Sequence, residues 1–144
     1  MKLALAFLLM TIALPLLFVA AQEKDKWKRV YTYDDSVVEL NKTKLEQVDE
    51  RAARADFRTV YSDQQPLRGK PGVKYKTRFE TIEFRCTSGQ YRVVEVKLLD
   101  SKGKAVDSYK MTEDEDWIAT KSGGMMEKLL GAACGILYRR GMKR

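Results

Sequence analysis

The sequence predicts an α+β fold: a curved antiparallel sheet of about six strands, rich in meander connections, with a C-terminal helix packed on its concave face and tied by a disulfide. Three observations carry this. Apolar and polar residues alternate at period two in successive runs between Trp27 and Met111, which is the spacing of strands. One segment, Gly123 to Leu137, changes to spacings of three and four, which is the spacing of a helix face. The 144 residues include two cysteines, Cys86 at the end of a strand-like run and Cys134 on the apolar stripe of the helix, and no histidine.

From the N-terminus, Met1 and Lys2 form a short charged region and Leu3 to Phe18 an apolar one. Val19-Ala20-Ala21 then supplies small residues before Gln22, so residues 1–21 read as a secretory signal peptide. A retained membrane anchor is the competing reading, but Pro15 and the polar run Gln22 to Lys26 disfavour it, and no later segment is apolar for long enough to span a bilayer. Residues 22–138 are then expected to form a single domain and residues 139–144 a basic tail. The expected location is periplasmic or secreted. In an oxidising compartment two cysteines have one intramolecular connectivity, Cys86 to Cys134. A redox or metal-binding pair would call for a C-x-x-C spacing or histidine, and neither is present. The formal charge of +7 becomes +6 without Lys2, and Arg139, Arg140, Lys143 and Arg144 hold four of those charges at the extreme C-terminus. The body is nearly balanced, which argues against a broad nucleic-acid-binding face.

The strand-like elements follow in order. Trp27 to Tyr33 alternates aromatic and polar residues, Asp34-Asp35 turns the chain, and Ser36 to Leu40 returns as the second half of a hairpin. Asn41 to Gln47 is expected to hold a turn or a short helix, and Ala55 to Tyr61 a third strand. Ser62 to Gly72, with Pro66, Gly69, Pro71 and Gly72, reads as a loop. Val73 to Met111 then reads as a three-stranded meander with turns at Thr87 to Gln90 and Asp100 to Gly103. Its apolar phase slips from odd to even near Glu80-Thr81, and again between Val93 and Val94, as a β-bulge would cause. Met126, Leu130, Ala133, Cys134 and Leu137 share one helix side. Ser122 is the expected N-cap, and the arginines after Leu137 complement the helix dipole before a disordered end.

Groups that carry chemistry are few. The commonest general base is missing and both thiols are assigned to the disulfide, so the chain reads as non-enzymatic, with no cofactor and no metal. Glu113-Asp114-Glu115-Asp116 is the densest acidic run, but four consecutive carboxylates mark a solvated loop. Read as a calcium loop from Asp114, it has Ala119 where Gly belongs and no Glu at the twelfth position. Lys70, Lys74, Lys76 and Arg78 are the candidate binding residues, a basic cluster that would grip an acidic partner; a solvated strand face has the same pattern. Asn41-Lys42-Thr43 fits the N-glycosylation pattern. The strand aromatics, among them Trp27, Phe57, Phe79 and Phe84, could form a ligand-stacking surface, but at strand spacing they read as core.

Trp27-Lys28-Arg29-Val30, Phe84-Arg85-Cys86, Tyr91-Arg92 and the segment Leu129 to Cys134 follow the order and spacing of bacterial surface-adhesin protein E domains. The chain is similar to that family over most of its mature length. The resemblance implies a six-stranded antiparallel sheet with its helix tied to the concave side, export in a Gram-negative bacterium, self-association in some members, and binding of host matrix proteins without enzymatic activity. A lipid-anchored member needs a cysteine just after the signal peptide, and Val19-Ala20-Ala21-Gln22 supplies none, so this chain is expected to be soluble after export. The leading expectation is an adhesin-like protein-binding module, with an extracellular matrix protein as partner and a homodimer as a second association. The alternative is a periplasmic or secreted inhibitor of a lytic enzyme that uses the loop Gln65 to Val73. An enzyme built on the carboxylates around Glu113 to Asp116 would need two of them to converge in a cleft.

Overall fold

The computed structural model describes residues 26–112 and 116–142. The signal-peptide reading, Glu113 to Glu115, Lys143 and Arg144 lie outside the described residues.

The strands are β1 (Trp27–Thr32), β2 (Ser36–Asn41), β3 (Glu46–Asp49), β4 (Ala52–Pro66), β5 (Lys74–Arg85), β6 (Gln90–Leu99), β7 (Ala105–Lys110) and β8 (Ile118–Ala119), followed by the helix α1 (Met125–Arg139). They form one antiparallel sheet in the order β1-β2-β4-β5-β6-β7. The two short strands extend it: β3 lies beside the start of β4, and β8 beside the start of β6. The six-strand path and the meander match the sequence reading. Two segments differ from it. Asn41 to Gln47 holds a turn, in which the Asn41 side chain accepts hydrogen bonds from the backbone and hydroxyl of Thr43, and then enters β3 rather than a helix. Ser62 to Pro66 is strand rather than loop. Beyond Tyr61 β4 leaves β2 and pairs with β5 alone, so Pro66, which lacks an N–H, is tolerated at the free edge.

Residues opposite one another in an antiparallel pair share a face, so the registers sort the side chains. Val38, Leu40, Ala53, Ala55, Phe57, Ile82 and Phe84 fall on one face. Against them α1 buries Leu129, Ala133, Cys134 and Leu137. Phe57 and Phe84 meet edge-on at 5.9 Å in the middle of this core. Each such ring contributes roughly 1.5–3 kcal/mol by leaving water. Ala53 and Ala55, both fully buried, put little bulk between β4 and the helix. Cys86, just past β5, is bonded to Cys134 with Cα atoms 5.8 Å apart, which fastens the middle of α1 to the sheet.

The phase slips have one physical origin on β6 and another on β5. Thr81 pairs with Glu95 but Ile82 with Val93, so Val94 is an extra residue on β6 and a bulge. No extra residue sits on β5, whose pairing with β4 is unbroken from Thr77 to Arg85. Its apolar phase changes because Phe79 lies on the opposite face from Ile82 and Phe84.

The helix begins two residues later than Gly123. Gly124 is its N-cap and offers no side chain; Ser122 lies in the preceding turn, and Glu127 accepts a hydrogen bond from the Gly123 N–H at 2.7 Å. At the other end Arg140 donates to the Lys42 and Leu45 carbonyls, and Met142 is buried in the core. The expected disordered end is therefore ordered through Met142.

Candidate binding surface

The face opposite α1 carries no helix or second sheet layer among the described residues; α1 touches β1, β2 and β4 from the other side. Left open to water, this face is built from cross-strand pairs of arginine with carboxylate and aromatic groups, which hold a solvated sheet face in place.

At one end Trp27 on β1 reaches across β2 and β4 to Phe79 on β5, with ring centroids 5.8 Å apart. Arg58 on β4 lies beneath the indole, its guanidinium carbon 4.4 Å from the ring centre. Its Nε donates to Glu39 at 2.6 Å, from the residue directly opposite on β2. At the other end Glu83 on β5 is only 3% exposed. It accepts from Arg54 on β4 at 2.9 and 2.5 Å and from Arg92 on β6 at 2.7 Å. Burial pushes the Glu83 carboxyl up, but these two guanidiniums outweigh it and hold the group below the ordinary carboxylate range. Arg92 and Arg85 in turn face the Trp117 indole at 4.9 and 4.2 Å. Between the two ends lies a depression of about 300 Å³ lined by Lys44, Asp56, Phe79, Thr81, Glu95 and Lys97. Arg29 and Lys97 stand exposed on this face and hold no ion pair among the described residues. The product is a rigid surface of arginine and tryptophan side chains, the types enriched where protein partners are held most tightly.

Of the four cations singled out from the sequence, Lys74, Lys76 and Arg78 keep one phase along β5, but their charged ends are held by different partners. Lys70 pairs with Asp107 on β7 at 3.0 Å, and Lys76 donates to the Ser62 carbonyl. Arg78 pairs with Glu80 at 2.7 Å on the helix side of the sheet, and Lys74 is exposed at the start of β5. Near Arg78, Tyr61 stacks edge-on against Tyr75 at 5.6 Å; burial, and then Tyr75, pushes its phenol up to about 12. Asn41 of the glycosylation pattern is buried. Asp116 is the one member of the acidic run among the described residues, and it is exposed.

The sequence reading placed Phe79 and Trp27 in a core and gave Trp117 no role. The odd phase of Phe79 against Ile82 and Phe84 was the available signal for a second aromatic face. Trp117 gave none, because it lies outside any strand and its contacts depend on how β8 returns to β6.

A family profile described as surface-adhesin protein E matches residues 25–135. The chain belongs to that family. Comparison with curated proteins returns no match. Membership in the surface-adhesin protein E family makes this an exported protein and supports an adhesin-like, protein-binding role. Among the described residues no helix is long and apolar enough to cross a membrane.

Proposed function

We propose that the protein is a non-enzymatic, exported binding module, soluble after loss of residues 1–21, that holds a host extracellular matrix protein on the open face of its sheet. The observation that carries this reading is that face: an uncovered sheet surface on which Trp27, Phe79, Arg58, Arg85, Arg92 and Trp117 are already held in place. Side chains fixed before binding lose little rotamer freedom on binding, so their contacts count more toward affinity. Membership in the surface-adhesin protein E family supports the partner class.

The test uses the disulfide-bonded protein from Gln22 to Arg144 against immobilised vitronectin and laminin across a salt series. A second protein carries Arg29→Glu and Lys97→Glu, two exposed changes on the open face; because Arg29 stands opposite Glu39, unchanged tryptophan emission is required of the variant to show that the aromatic stacks persist. Saturable binding at physiological salt that the double variant loses supports the proposal. Binding that is absent, or that the double variant retains in full, overturns it.

A further inference from the structure

The β4–β5 and β6–β7 connections stand at the same end of the sheet, two strand steps apart, which is about 10 Å at the usual strand spacing. A cleft of about 330 Å³ between them is lined by residues that include Gln64, Gly72, Lys74, Ser101, Lys102 and Val106. Both connections are stiff. The first is closed by hydrogen bonds from Leu67 N–H to the Val73 carbonyl at 2.9 Å and from Lys70 N–H to the Leu67 carbonyl at 3.1 Å, with Gly69 and Gly72 at φ +79°. In the second, Asp100 accepts from the backbone of Lys102 at 2.8 Å and of Lys104 at 2.9 Å.

This arrangement sorts the charges. Asp107 is paired with Lys70, whereas Asp100, which lines the cleft, turns one carboxylate oxygen to its own turn and keeps its charge. Arg68, Lys74, Lys102 and Lys104 are exposed and hold no ion pair among the described residues. The bulged part of β4 adds one carboxylate, Asp63. Lys74 and Lys102 line the cleft, and Arg68 and Lys104 stand exposed on the same two connections, so cations that the sequence keeps about 30 residues apart share one end of the sheet. Lys76 and Arg78 take no part in this group.

We propose that this end of the sheet binds a linear sulfated polysaccharide. A chain that repeats its anions along its length engages both turns at once, whereas a single small anion reaches one. Stacking platforms for nucleic-acid bases are missing, since the lining of the cleft holds no aromatic residue. Of the exposed large apolar residues, Val48 and Ile118 lie at the far end of the sheet and Tyr109 along β7. Tyr33, on the β1–β2 turn at this end, is stacked edge-on against Tyr31, so the two connections present no apolar group for a bilayer. The site is separate from the open face and does not depend on the matrix-protein reading.

The test is titration of the disulfide-bonded protein, Gln22 to Arg144, with a size-defined heparin oligosaccharide across a salt series. Changing Arg68→Glu, Lys102→Glu and Lys104→Glu together should weaken binding about tenfold or more at physiological salt, and should make the dependence of log K on log salt shallower by about two to three. The milder pair Lys102→Ala and Lys104→Ala should reduce the slope by about two-thirds as much, so the result does not hang on the triple variant folding. Arg29→Glu with Lys97→Glu, on the open face, should leave the oligosaccharide affinity within about twofold. Equal binding by the triple variant overturns the proposal. So does equal binding of desulfated heparin, polyglutamate or phosphatidylglycerol vesicles, because attraction would then follow charge alone.

Discussion

Reducing the Cys86–Cys134 bond tests how the helix is held. The bond closes a loop of 48 residues of sequence separation. On the chain-entropy relation, opening that loop returns about 13.6 cal/mol/K to the unfolded chain, or about 4 kcal/mol at room temperature. The unfolding entropy of a domain of roughly 115 residues is about 0.24 kcal/mol/K near the transition, so the melting midpoint should fall by about 15 °C. The folded side changes little, because both sulfurs stay within the same packed region and Cys134 is 2% exposed. The assay is calorimetric melting with and without reductant, with thiol titration to prove reduction. Far-UV dichroism at low temperature should show α1 still present in the reduced protein. A drop of less than about 4 °C with the bond shown to be open would refute the reasoning, because the core of α1 would then hold without the cross-link.

Three further outcomes follow from the open face and the bulge. Glu83→Gln should cost about 1–3 kcal/mol in denaturant unfolding at neutral pH, since Arg54 and Arg92 lose a buried counter-charge but stay partly in water. The same variant should lose part of the acid sensitivity of the parent. The Glu83 carboxyl is held below its ordinary value of 4.5, so the stability it contributes is complete above that pH and disappears as pH falls through the lower, folded value. Arg58→Ala should loosen Trp27, seen as a red shift in tryptophan emission with a loss of about 1 kcal/mol. Deleting Val94 removes the extra residue and leaves Val93 opposite Ile82 and Glu95 opposite Thr81 in unbroken alternation, so Tyr91 and Val93 keep their face and only the local bend is lost. A cooperative transition with a modestly lower midpoint is expected, and loss of the cooperative transition on deletion would contradict the register.

Much of the fold was legible because it is written in periodicity. The three runs from Val73 to Met111 alternate cleanly and are bounded by turns that hold Gly89 and Gly103, so strand edges there follow from local chemistry. The helix and disulfide were legible because Cys134 lies on the same stripe as Leu137. Local chemistry misled where long-range pairing decided. Ser62 to Pro66 has the composition of a loop, yet β5 supplies it with a partner, and Ser122 has the chemistry of a cap that the Lys121–Gly124 turn does not use. The candidate surface was less legible for a related reason. Arg54, Glu83 and Arg92 come from three strands and meet only once the registers are fixed, and the same registers set Arg78, Leu98 and Asp107 in one cross-strand row, at the end of which Asp107 takes Lys70.

The open face has a structural explanation as well as a functional one, and the two make different demands on the same residues. A sheet with one face in water must avoid pairing with other chains and must still hold its strands in register. Trp27 with Arg58, and Glu83 between Arg54 and Arg92, meet those needs by contacts within the molecule. Arg29 and Lys97 contribute little to them: both are exposed, and neither closes an ion pair among the described residues, although Arg29 stands opposite Glu39. If the face served stability alone, reversing their charge would cost no more than the small repulsion between a carboxylate at position 29 and Glu39, directly opposite, and would alter no partner affinity. A binding face makes them its outward contacts instead, at positions where melting behaviour and partner affinity can be varied separately.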